Sequence, residues 1–155
     1  MKESKRFIGC TTNGYKVFME ENSSQKILHG KVTPELVAEA IAKIEYVPNR
    51  YMGTIEFDRV IGKSVIIHSK EDDDIQMVYR PGNDYPSKVA MNRHPEATNK
   101  LTICICKDVS GYVLLYTAYF GERFPKELED PRLSNEEKPR AERFWNEHCY
   151  CIKNE

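Results

Sequence analysis

Between Leu101 and Phe120 two runs rich in β-branched, aromatic and other apolar residues, 101–107 and 112–120, are separated by the polar residues 108–111 and read as strands, in which residues two apart share a face. The pattern predicts a hairpin. A four-residue connection would pair Lys107 with Tyr112, set Thr102 opposite Thr117 and Cys104 opposite Leu115, and bring Lys100 near Tyr119. In that register Leu101, Ile103, Ile105, Leu114, Tyr116, Ala118 and Phe120 share the core face. Thr102, Thr117 and Tyr119 gather on the other face, where a small domain can hold a ligand.

Similar patterning recurs upstream. Residues 7–12 and 15–20 flank Asn13-Gly14, the dipeptide that best tolerates a two-residue type I′ turn. A polar stretch, 21–26, leads to a helix over residues 33–45. Thr33 is its N-cap, Pro34 its first helical residue and Glu35 lies in its first turn. Leu36, Val37, Ala40, Ile41 and Ile44 form one apolar stripe, which lays the helix on a sheet.

Strands are then expected at 54–61 and 64–69, joined by a Gly62-Lys63 turn, and at 75–80. The acidic run 71–74 reads as a solvated turn, Pro81-Gly82-Asn83-Asp84 as a loop, and 88–92 as a short strand. A final helix is placed at 139–150 on the spacing of Ala141, Phe144, Trp145 and His148, with Ser134 and Glu137 spaced as a capping box. The expected fold is α+β: an antiparallel sheet of about five to seven strands packed with two main helices, 33–45 and 139–150.

Composition narrows the class. The 155 residues fit a single domain, 1–155, and a net charge of −1 argues against a strongly basic nucleic-acid binder without excluding a local basic patch. No apolar run reaches membrane-spanning length and no secretory leader pattern opens the chain, so the default address is cytoplasmic. Cys104/Cys106 and Cys149/Cys151 are Cys-x-Cys pairs. They are expected to be reduced core thiols, with a zinc site using both pairs as the minor alternative. P-loop, dinucleotide, nucleophile-elbow, zincin and calcium-loop motifs are absent, and no cofactor or metal is expected.

His29-Gly30-Lys31 precedes the first helix. An imidazole there is ordinarily an exposed loop group, yet it can trade protons near neutrality, and Lys31 can stabilise an oxyanion. His68 and His148 read as structural and His94 as exposed. Arg80, Lys88 and Arg93 bracket the 81–85 loop. They are ordinary surface charge unless that loop folds over the face bearing Thr102, Thr117 and Tyr119. There they would make a phosphate-binding cluster beside Tyr79 and Tyr85. A Thr102/Thr117 pair has its own plain reading as a cross-strand stabiliser.

A histidine and lysine beside a helix, then an antiparallel sheet, then Tyr116-Thr117-Ala118-Tyr119 with an inward threonine, resembles the layout of the metal-independent RNase group. That group includes barnase, EndoU, the colicin RNases and the RelE toxins. The resemblance implies transesterification of RNA by a toxin or mobile-element protein. His29 would move a proton, Lys31 and Arg80 would stabilise the phosphorane, and Thr117 would hydrogen-bond a phosphate oxygen. Lys88, Arg93, Thr102 and Tyr119 would bind the substrate. The competing class is a non-enzymatic partner-binding or immunity-type protein, for which exposed tyrosines are suited. A weaker third is a small-molecule binder. The partner is RNA in the first case and a protein in the second, and the oligomeric state is left open.

Overall fold

The computed structural model describes residues 5–21, 27–48 and 50–152. Most of the 21–26 stretch therefore lies outside the described residues. The chain forms two compact units, one from residues up to Lys63 with Ala97–Glu122, the other from Ser64–Glu96 with residues from Arg123 on. The fold is α+β. Among the described residues no helix is long and apolar enough to cross a membrane.

The first unit is built on a five-stranded sheet, ordered β1 (Lys5–Cys10), β2 (Lys16–Glu20), β10 (Val113–Phe120), β9 (Lys100–Lys107) and β3 (Arg50–Glu56). Its pairs are antiparallel except β2 with β10, so the sheet is mixed rather than the expected antiparallel meander. Helix α1 (Pro34–Ile41) starts as predicted, with the Thr33 hydroxyl accepting from Leu36 N–H at 3.2 Å. It ends before residue 45, but Ile44 remains buried beyond its end. Val37, Ala40 and Ile41 pack with Val17, Leu101, Ile103 and Ile105. Gly9 of β1 faces α1, where a Cβ would stand in ordinary contact, 3.4 Å from the Ala38 Cα. Burial of each of these Val, Leu and Ile side chains is worth about 1.5–3 kcal/mol.

Both hairpins of this unit use a three-residue loop. Gly14 N–H bonds to Thr11 C=O and Thr11 N–H to Tyr15 C=O, with Gly14 at φ +91°. Gly111, Asp108 and Tyr112 repeat the arrangement, with Gly111 at φ +94°. The Asn13-Gly14 turn is thus one residue longer than a type I′ turn, and Asn13 is used elsewhere, bonding both backbone groups of Tyr46.

The observed connection corrects the β9–β10 register, since five residues rather than four separate Lys107 from its partner Val113. Lys107 pairs with Val113, not Tyr112, and Leu115 with Ile105. A one-residue slip moves side chains to the opposite face, so Val113 and Leu115 enter the core in place of Leu114 and Tyr116. A bulge between Leu115 and Thr117 then adds a second step, which returns Ala118 and Phe120 to the expected face. Thr102 pairs with Tyr119, and Thr117 with Cys104.

In the second unit β5 (Ile66–His68), β11 (His148–Cys151), β7 (Pro86–Ala90) and β6 (Ile75–Tyr79) form a four-stranded sheet with β11 parallel to β7. Helix α2 (Lys138–Glu147) is shorter than predicted, because the chain becomes extended at His148 (φ −134°) and continues as the unpredicted β11. Val89, Ala141, Trp145 and Tyr150 cluster together, while Ile67, Ala90, Cys149 and Cys151 form a separate cluster. Ser134 and Glu137 do make reciprocal capping-box bonds of 3.2 and 3.0 Å, one turn before α2. Gly62-Lys63 is not a turn but part of β4 (Gly62–Ser64), which pairs with β8 (Glu96–Thr98).

A Cβ at Gly14 or Gly111 would meet no atom within 4 Å, so alanine there tests the left-handed backbone alone. Gly14→Ala and Gly111→Ala should each lower stability by about 1–2 kcal/mol, read as a reduced urea midpoint at unchanged slope.

Candidate functional site

Backbone pairing explains where His29, Thr117 and Tyr119 lie on the first unit's sheet. Leu28 makes a parallel bridge to Ala118, and His29 N–H bonds to Ala118 C=O at 3.0 Å. Leu28 packs on the core beside Ala118. Alternation therefore assigns His29 to the face of Thr117 and Tyr119, the two neighbours of Ala118. His29 C=O in turn accepts from Val32 N–H at 3.3 Å, closing a turn in which Gly30 takes φ +63°. Lys31 lies in that turn, exposed, just ahead of the Thr33 cap. Desolvation lowers the His29 pKa below its ordinary value of 6.5.

Thr102 does not serve as expected. It is fully buried, and its hydroxyl donates to Gly121 C=O at 2.8 Å while accepting from the Thr54 hydroxyl at 2.8 Å. It ties β3, β9 and Gly121 at the end of β10 together, with its own strand position opposite Tyr119. Cys104, also buried, accepts from Arg50 Nε at 3.3 Å. The five cysteines are free thiols, and burial raises that of Cys151 to about 11. Among the described residues no three His, Cys, Asp or Glu side chains gather as a metal-holding group.

Arg80, Lys88 and Arg93 belong to the second unit, and each is engaged there with different partners. The Arg80 guanidinium lies 4.0 Å from the Tyr150 ring centroid and 3.7 Å from Glu127 Oε2. Lys88 Nζ donates to Trp145 C=O. Arg93 donates to both Asp73 oxygens at 3.0 Å and to Glu96 at 2.6 Å. Asp73 therefore departs from the solvated-turn reading. A backbone N–H from Lys70, with Arg93, holds its carboxyl below the usual range. His68 and His148 pair across β5 and β11 with ring centroids 4.2 Å apart, and His148 stacks on Phe144. His94 is exposed.

The face of His29 also holds residues that the sequence reading missed. One rung crosses all five strands: Phe7, Phe18, Leu114, Cys106 and Arg50 stand successively opposite one another. Tyr112 meets Phe18 edge-on at 5.3 Å. Correct loop lengths would have revealed this rung, since each member follows from register. No known family model, curated protein or solved structure matches the chain.

Replacing Thr102 by valine keeps its shape and leaves the Gly121 carbonyl and Thr54 hydroxyl without this partner. Thr102→Val should cost about 1–3 kcal/mol in urea unfolding.

Proposed function

We propose that the first unit's outer sheet face carries a metal-independent RNA-cleaving site centred on His29. The observation that supports this reading is the backbone bond from His29 N–H to Ala118 C=O at 3.0 Å, which brings His29 alongside the strand that carries Thr117 and Tyr119. Desolvation lowers the His29 pKa, which favours the neutral imidazole that a general base requires. It accepts the proton of an RNA 2′-hydroxyl as that oxygen attacks the adjacent phosphorus. The bond from phosphorus to the 5′-oxygen breaks, water supplies the proton to that leaving oxygen, and a 2′,3′-cyclic phosphate remains. Lys31 balances the charge that develops on the phosphorane, and Thr117 donates to a non-bridging oxygen. Arg80, Lys88 and Arg93 are not required in this scheme, their charges being engaged within the second unit.

Incubation of the full chain with mixed RNA in EDTA tests the proposal. The unmodified protein should produce cyclic-phosphate ends, and His29→Ala should slow cleavage by about 10²–10⁴-fold. Thr117→Val should slow it further than Thr117→Ser does. No cleavage by the unmodified protein, or equal cleavage by His29→Ala, overturns the reading. It would favour the partner-binding alternative, which the half-exposed Phe7, Tyr112 and Tyr116 support.

The pH profile gives a separate check. With the His29 pKa lowered, cleavage should rise with pH on the acid side and level off near or below the 6.5 of an ordinary imidazole. The same shift predicts that the fold loses stability as pH falls through that window, since the unfolded chain there binds the proton more readily.

A further inference from the structure

We infer that the aromatic rung beside His29 is a stacking platform for an unpaired RNA strand, holding bases that flank the bond to be cut. This rests on the RNA reading for the position of the scissile bond; the binding itself stands on the rung. Phe7 and Tyr112 remain 51% and 45% exposed, and Tyr116, in the bulge, 50%. Exposing three large rings on one sheet face carries a solvation cost that a base pressed against them would remove. Their mutual arrangement leaves ring surface open. Phe7 meets Phe18 at 5.7 Å and Phe18 meets Tyr112 at 5.3 Å, both edge-to-face, so the cluster does not close on itself by stacking.

The surrounding charge suits a phosphate backbone. Lys5 Nζ lies over one face of the Tyr112 ring, 5.1 Å from its centroid, Arg50 ends the rung, and register puts Lys16 on the same side as Phe18. Of the nearby carboxylates, Glu20 stands opposite Lys5, and Asp108 is occupied by the N–H groups of Ser110 and Tyr112 and the Ser110 hydroxyl. Rings that accept any base, set among cations, give sequence-tolerant recognition of a single strand.

Geometry links the platform to His29. Leu114 of the rung and Thr117 lie three residues apart on β10, about 10 Å along an extended strand, somewhat less across the bulge. A strand with one phosphate at Thr117 would lay its neighbouring bases over Tyr116 and then Tyr112 and Phe18. A dinucleotide would reach only the first part of this path.

The test uses the full chain with His29→Ala, so that RNA survives, and an eight-nucleotide fluorescein-labelled single strand followed by anisotropy. Binding is expected to weaken with added salt, to be stronger than for a dinucleotide, and to fall about tenfold or more in a Phe7→Ala/Tyr112→Ala double variant. Tyr112→Phe should bind as before, and fully paired RNA should bind less well. Photocrosslinking of a 4-thiouridine strand gives a measurement independent of the folding of any platform variant. It should label the peptides of Phe7, Phe18 or Tyr112. Labelling confined to residues from Arg123 on, equal affinity in the double variant, or no binding at all overturns the platform; the last favours a protein partner for this face. Binding with these properties but no cleavage by the unmodified protein would refute the chemistry of His29 alone.

Discussion

The pairing of β9 with β10 decides which residues of the first unit are core and which meet solvent. Strand side chains alternate, so an error of one residue exchanges the two faces completely. The register is pinned at one end by the Asp108 to Tyr112 loop, in the middle by the bulge at Tyr116, and at the far end by the Thr102 hydroxyl on Gly121 C=O. These features are mutually dependent. The loop shifts the pairing once, the bulge shifts it again, and only after both steps does Thr102 come opposite Tyr119 with its hydroxyl in reach of the glycine carbonyl. His29 reads its position from the same strand, through Ala118.

Much of the local structure was legible because its causes are local. The Thr33-Pro34 helix start, the apolar stripe of α1 and the strand character of residues 101–120 depend on neighbours a few positions away. What escaped depends on small backbone choices with large effects. Gly111 suits either a four-residue connection or a three-residue loop ending in a left-handed glycine, and alternation alone does not separate them. Once the four-residue connection that pairs Lys107 with Tyr112 is assumed, Leu115 is sent to the wrong face and the rung from Phe7 to Arg50 disappears. Residue type and position alone nominate His29, Lys31 and Thr117 as candidates, whereas Thr102 could not be recognised as a buried tie without knowing its partner Thr54.

The second unit was harder to read for a different reason. Its charged residues are spoken for by groups far along the chain: Arg80 by Glu127 and Tyr150, Lys88 by the Trp145 carbonyl, Arg93 by Asp73. A sequence shows three cations near a loop and no sign of the partners that engage them. His148 illustrates the same limit at short range. Its spacing from Phe144 correctly placed the two rings together, but the helix ends between them, and the imidazole stacks from the first residue of β11.

Strand β11 lies between β5 and β7, pairing residues 148–150 with 66–68 and residues 150–151 with 89–90. The gap between β5 and β7 is thus bridged by a short segment that arrives some sixty to eighty residues later in the chain. During synthesis, both flanking strands emerge long before the piece that joins them. Until it docks, each presents an open edge with unmet N–H and C=O groups. The β6–β7 hairpin is local in sequence, whereas β5 joins the sheet only through the four residues of β11, so the completeness of the sheet rests on that late segment.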